Sequence, residues 1–233
     1  VAAIFGKNLN LEETNMKIRK TVLSTLFMAM AALNFPALAA ETDVNITQTL
    51  AAVEVMHQGN KVRIERVQDT ENMLDPDFSL TSRPCPPFCI QPMTLGPGVE
   101  TIGELEILDY LKKSSQDASI LVIDSRDGDW PIRSGVIPGA VQLPWQELHP
   151  AHNELDKIAD ILIFRFGAAR QGGLWNFENA KTLVLYCNGP WCGQSPTNIK
   201  QLMAMGYPAH KLKWYRGGVQ DWKMLGLTTV TPK

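Results

Sequence analysis

A chain of 233 residues, 45% of them hydrophobic, is long enough to bury a full core. Its 22 basic and 24 acidic residues leave a formal charge of −2 with no dense basic stripe, so the sequence predicts no nucleic acid partner.

The first segment reads as an address. Residues 1–15 are expected to be an upstream extension. From Met16, a basic stretch (Lys17, Arg19, Lys20) precedes an apolar run at 22–33, and Ala37-Leu38-Ala39 supplies a small-x-small cleavage site. The run is short for a membrane span; an uncleaved anchor is the alternative. The predicted organisation is therefore 1–39 as extension plus signal peptide, 40–99 as an N-terminal hairpin and Cys/Pro-rich arm, and 100–233 as the main domain. A periplasmic or secreted protein follows, with no membrane contact after cleavage.

Residues 52–56 and 62–67 alternate apolar and polar positions around His57-Gln58-Gly59-Asn60, the pattern of a β-hairpin. Residues 68–99 are rich in Pro, Asp and Ser and read as an irregular arm carrying "RPCPPFCIQP". Beyond it, Ile102, Leu105, Leu108 and Leu111 predict a helix, with Thr101 and Glu104 as its capping box. Strands are predicted at 120–123, ending at Asp124, and at 140–143, after Pro138-Gly139. A helix is expected over 155–166 and a third strand over 183–186. Ile199, Leu202 and Met203 mark another helix, stopped by Gly206. A last strand covers 212–215, and a helix over 219–225 closes at Gly226.

Strands apolar on both faces, alternating with helices, predict an α/β parallel sheet with helices on both faces, preceded by the small hairpin arm. Ligands of such sheets sit outside the carboxyl ends of the strands. Cys187 stands at one of those ends. Ser195 is a good N-cap for the next helix and Pro196 suits its first position, so the loop 187–194 should lie over a helix N-terminus. Outward-pointing amides there favour an anion, and Gly189 and Gly193 permit a tight curl. A cysteine in such a cradle has a lowered pKa and acts as a thiolate nucleophile. The competing reading is an inert, buried strand-end cysteine.

Three ordered elements carry a resemblance. "VIDSRDGDWPIRSGVIPGAVQLP", then "LVLYC" with a short loop and helix, then "WYRGGVQDWKMLG" together resemble the rhodanese (sulfurtransferase) family over residues 100–228. The matching positions are Asp124 and Arg126, Ile137 to Ala140, and Gly217, Gly218 and Trp222. The resemblance implies a rhodanese-like fold with Cys187 as the sulfur-accepting nucleophile. Asn188, Gly189, Pro190, Trp191 and Gly193 would cradle its persulfide, with Asp124 and Arg126 in support. It implies no cofactor and no metal. Two departures matter. Val136 replaces a frequent His, and residues 188–195 carry no charge, whereas the family's loop often holds Arg or Lys. A neutral small sulfur donor or a protein persulfide therefore fits better than thiosulfate, with a thiol as acceptor. Cysteine-dependent phosphatases need an Arg where Gly193 stands.

Two cysteine pairs leave alternatives open. Cys192 either resolves a persulfide or disulfide on Cys187, or merely ends the loop. Cys85 and Cys89 either form a structural disulfide, or exchange sulfur or electrons with the loop cysteines, or join them in a zinc site. Two further functional readings are a periplasmic thiol–disulfide redox protein using Cys187 and Cys192, and a non-catalytic binding module. His149 and His152 are expected in a solvated turn, His57 in the hairpin and His210 in a loop. Trp145, Trp175 and Trp214 are expected in the core. Asp127-Gly128-Asp129 is too short for a calcium loop.

Overall fold

The apolar runs that alternate with helices in the sequence come together as one sheet. The computed structural model describes residues 43–232, so the expected leader at 1–39 lies outside the described residues. A hairpin comes first, β1 (Ala52–His57) and β2 (Asn60–Glu65), then a short helix α1 (Pro76–Ser79). The strand β3 (Glu100–Ile102) precedes α2 (Glu104–Ser114), β4 (Ile120–Asp124), α3 (Trp130–Ser134) and β5 (Val141–Gln142). Next come α4 (Leu155–Asp160), a small antiparallel pair β6 (Ala169–Gln171) and β7 (Leu174–Asn176), and β8 (Thr182–Tyr186). The helix α5 (Gln194–Ala204), β9 (Leu212–Tyr215) and α6 (Gly218–Met224) complete the described chain.

Five strands form a sheet of order β3-β9-β8-β4-β5, parallel throughout. Register aligns Asp124 with Tyr186, and Tyr186 with Tyr215. The chain thus leaves β4, β8 and β9 at one edge, and Cys187 lies at the middle of it. Side chains of β8 alternate between two cores. Leu183 and Leu185 pack with Ile199, Leu202, Ile158 and Leu162. Val184 and Tyr186 pack with Ile107, Leu111, Val219 and Trp222. Burial on both faces is why the run is unbroken in sequence. Each such side chain contributes about 1.5–3 kcal/mol through burial.

The hairpin is no free arm. Val53, Val55 and Ile64 belong to the same apolar cluster as α2 and α6. Gln58 and Gly59, at φ 49° and 82°, make its two-residue turn, the geometry whose twist matches paired strands. His57 Nδ1 accepts a hydrogen bond from the Gly139 amide at 3.1 Å.

Several expectations need local correction. Ile102 lies in β3, and the N-cap of α2 is Gly103 rather than Thr101. Glu106, not Glu104, folds back to accept from the Gly103 amide. The buried stripe of α2 is Ile107, Leu108 and Leu111, and Leu105 faces solvent. The helix expected over 155–166 is α-helical only to Asp160; a π-helical turn then spans Ile161–Arg165. The wider turn still leaves Ile158, Leu162 and Phe166 in the core. Among the described residues, no helix is long and apolar enough to cross a membrane.

Candidate active site

The loop 187–193 joins the carboxyl end of β8 to α5, and its curl is fixed from outside. Gly218 explains why the last helix opens on a glycine. It has φ +58°, and a Cβ there would stand 2.4 Å from the Cys187 carbonyl oxygen and 2.7 Å from the Gly189 nitrogen. Only a residue without a side chain allows α6 to start against this loop. The approach lets Val219 N–H donate to the Cys187 carbonyl at 3.0 Å, and Gln220 N–H to that of Asn188 at 2.8 Å. With these carbonyls tied outward, the amides of Asn188, Gly189, Trp191 and Gly193 have no acceptor among the described residues. Pro190 has no N–H to add to them.

Cys187 is 3% exposed and Cys192 4%. Their sulfurs are joined as a disulfide, with Cα atoms 6.3 Å apart. Ser195 is not the N-cap. Gly193 takes that position, and Ser195 lies inside the first turn. Its hydroxyl donates to Cys187 Sγ at 3.2 Å. Trp214 Nε1–H donates in turn to Ser195 Oγ at 3.2 Å. An indole N–H can only donate, so Ser195 must accept from it, which leaves the hydroxyl proton for the sulfur. Both residues are buried. Trp214 is a core residue, as expected, but its polar tip serves the site.

Beside Cys192 lies a second polar set. Gln194 Oε1 is 3.7 Å from Cys192 Sγ, and Gln194 Nε2 donates to Asp127. Asp127 also accepts from Trp145 Nε1 at 2.9 Å and Gln146 Nε2 at 2.6 Å. The rings of His149 and His152 pack edge-on against Trp145.

Asp124 and Arg126 lie behind the loop, not in it. The pair is sealed, at 1% and 0% exposure. Arg126 Nε reaches both Asp124 oxygens, at 2.8 and 3.0 Å. Its other nitrogens donate to Ser134 Oγ at 2.7 Å and the Gly135 carbonyl at 2.8 Å. Burial works against the guanidinium charge, but pairing with Asp124 wins and holds its pKa above the usual value. Arg126 thus clamps the turn before Ile137. Burial and the Asp124 charge push the Tyr186 phenol well up, so it stays neutral.

The arm covers the loop from the other side. Gln91 N–H donates to the Pro190 carbonyl at 2.8 Å. Arg216 holds that stretch by donating to the carbonyls of Gln91 and Pro92, at 2.9 and 3.2 Å. Phe88 meets Trp191 edge-on with centroids 5.5 Å apart. The Arg83 guanidinium lies 4.1 Å from the Trp191 ring centroid, and Trp191 Nε1 donates to Gln220. The four cysteines pair as two disulfides, Cys85–Cys89 and Cys187–Cys192, rather than converging as a metal set. Among the described residues no cluster of three or more His, Cys, Asp or Glu side chains gathers to hold a metal ion.

The structure places Cys187, its loop and Cys192 together at the carboxyl end of β8. Sequence reasoning missed Ser195 as a partner of the sulfur, because a serine before a helix reads first as a cap. It also missed Arg83, Gln91 and Asp127. For Arg83 and Gln91, nothing in the spacing of an irregular arm says which residues touch a loop a hundred positions away; Asp127 meets Gln194 across 67 positions, which local spacing does not show either.

The Rhodanese-like domain family matches residues 108–225. Among solved structures, the chain is similar to a protein of unknown function from Rhodopseudomonas palustris described as a possible tyrosine phosphatase. That match has 20% identity and a TM-score of 0.42, covering 58% of this chain and 87% of the other. A protein from Bacillus halodurans matches at 19% identity and a TM-score of 0.38, over 57% and 78%. SseA from Escherichia coli, described with the rhodanese fold of 3-mercaptopyruvate sulfotransferases, matches at 21% and 0.35, over 53% of this chain and 43% of its own. No curated protein matches the chain.

Proposed function

The chain belongs to the rhodanese-like domain family, and from that premise we propose that it is a sulfurtransferase that takes a sulfane sulfur on Cys187 and passes it to a thiol acceptor. The observation that carries this reading is the Trp214–Ser195–Cys187 chain of donors, at a loop whose amides at Asn188, Gly189, Trp191 and Gly193 have no acceptor among the described residues. Donors fixed in a site from which water is excluded favour the thiolate over the thiol, because only the anion accepts their hydrogen bonds fully. The same donors would hold the terminal sulfur of a persulfide anion.

The cycle starts from the reduced loop. The Cys187 thiolate attacks the outer sulfur of a donor R–S–SH. The S–S bond breaks, the donor leaves as a thiol, and Cys187 holds the persulfide. An acceptor thiolate then attacks that outer sulfur, and Cys187 leaves as a thiolate. The leaving step benefits from the same stabilisation as the attack. No Lys or Arg lies in the loop itself. The nearest guanidinium to Trp191, that of Arg83, is stacked among Phe88, Trp130 and Trp191 and donates to the Asp77 carbonyl. A neutral small donor therefore suits the site better than a dianion, and with Cys187 3% exposed it also suits it better than a protein persulfide. The periplasm or another oxidising compartment completes the proposal, supported by the Cys85–Cys89 disulfide on the exposed arm.

The Cys187–Cys192 bond favours a second reading, a thiol–disulfide redox protein. The reduced protein, incubated with a sulfane-sulfur donor and weighed intact, separates the two. A gain of one sulfur atom that disappears in Cys187→Ser supports transfer. Loss of two hydrogens on mild oxidation, with no sulfur gained, supports the redox reading. Neither change points to a binding module.

A further inference from the structure

Two disulfides lie on segments that pack together, the arm and the loop, and they differ in access. The loop pair is nearly sealed, with Cys187 and Cys192 at 3% and 4% exposure. In the arm pair Cys85 is exposed and Cys89 half-buried. Gln91 joins them. Its amide donates to Pro190, inside the loop, at 2.8 Å. Its side-chain Nε2 donates to the Cys89 carbonyl at 2.8 Å and lies 3.7 Å from where a Cβ on Gly193 would stand, next to Cys192. Phe88, next to Cys89, packs on Trp191, next to Cys192. The arm thus covers part of the loop with a cysteine pair of its own.

We propose that Cys85 and Cys89 are an electron relay that carries reducing equivalents from an external protein dithiol to the buried Cys187–Cys192 disulfide. The inference deepens the sulfur-transfer reading and rests on it for the origin of that bond. Cys192 attacks the Cys187 persulfide at its inner sulfur. The Cys187–Cys192 disulfide forms, and the outer sulfur leaves as hydrosulfide. The loop is then oxidised and accepts no further sulfur until two electrons return.

The relay returns them in two exchanges. The Cys89 thiolate attacks Cys192 Sγ, and Cys187 leaves as a thiolate. It is the better leaving group, because the Ser195 hydroxyl donates to its sulfur. The exposed Cys85 thiolate then attacks Cys89 Sγ, and Cys192 leaves as a thiolate and takes up a proton. The arm is now the disulfide and the loop the dithiol. The external dithiol reduces the arm by the same chemistry and becomes oxidised itself. Access explains the division of labour. A protein dithiol reaches Cys85 from solvent, whereas the loop sulfurs lie in the interior.

The test starts from the fully oxidised chain and follows recovery of the Cys187 thiol by alkylation and peptide mass, with reduced thioredoxin as the dithiol. The relay predicts that Cys85→Ser/Cys89→Ser slows this recovery by about tenfold or more, while a small phosphine reductant restores Cys187 at a similar rate in both proteins. Equal rates with thioredoxin overturn the relay, as does faster recovery in the variant, which would make the arm a mere cover. A second variant, Cys85→Ser/Cys187→Ser, leaves only Cys89 and Cys192. Mild oxidation should join them in one intramolecular disulfide, and failure to do so also overturns the proposal. Sulfur uptake by the reduced wild-type chain is scored separately. Its absence removes the sulfur-transfer reading and with it the persulfide origin of the bond, while the thioredoxin comparison still decides the relay.

Discussion

The hydroxyl of Ser195 stands 3.2 Å from the sulfur of Cys187, with its own orientation set by the indole of Trp214. One donor to a buried sulfur has a measurable consequence for acidity. Ser195→Ala in the reduced protein should raise the Cys187 pKa and move its alkylation profile to higher pH. Trp214→Phe keeps the apolar packing and frees the hydroxyl, so the rise should be smaller. The pH dependence of iodoacetamide alkylation measures both, and an unshifted profile in Ser195→Ala contradicts the assignment.

Gly218→Ala is predicted to be among the most damaging single-atom additions in the chain. The new Cβ meets backbone, not a movable side chain, and φ is +58°. The substitution should cost roughly 2 kcal/mol or more and lower the melting temperature by about 5 °C or more. Gly128→Ala is the control. Its φ is also positive, but nothing lies within 4 Å of the added atom. A smaller loss there separates the clash from backbone strain.

Breaking the sealed pair should matter more than its distance from the loop suggests. Asp124→Asn leaves Arg126 at 0% exposure without a counterion, a loss of roughly 3–5 kcal/mol. Denaturant melts measure it. Because the pair clamps a turn rather than touching sulfur, the variant should still take up sulfur wherever it remains folded. Loss of uptake in folded protein would move Asp124 into the site.

Asp221 gives a pH signature of opposite sign to the usual carboxylate. Burial, and then the charge of Glu104, raise its pKa in the folded state. The folded chain therefore holds this proton more tightly than the unfolded chain. Its contribution favours folding at low pH and declines as pH rises from the unfolded value through the folded one. Asp221→Asn should raise the melting temperature slightly at pH 7 and leave it unchanged or lower near pH 3. A gain that is the same at both values contradicts this account.

The middle of the sheet was legible because burial on both faces writes an unbroken apolar run, and β4 and β8 both carry one. Cys187 was legible because it ends such a run before a glycine-bearing loop and a helix. The π-helical turn at Ile161–Arg165 was not legible, since Ile158, Leu162 and Phe166 have the spacing of an ordinary helix. The phase of α2 was misread because Ile102 and Leu105, apolar in sequence, are a strand residue and a solvent-facing one. The polar partners of the sulfur escaped for a different reason. Ser195 and Trp214 have strong local meanings, cap and core filler, that conceal a contact made across nineteen positions. The hairpin's place in the core was hidden likewise. Alternation shows that one face is buried, but not against what.

The most direct test of the account is the location of transferred sulfur. The fully reduced chain is loaded with a sulfane-sulfur donor, alkylated and mapped by peptide mass. The account predicts one added sulfur on the peptide containing Cys187, and its transfer to a small thiol added afterwards. Added sulfur on Cys85, Cys89 or Cys192 that persists in Cys187→Ser, or none on any cysteine of folded, reduced protein, would contradict it.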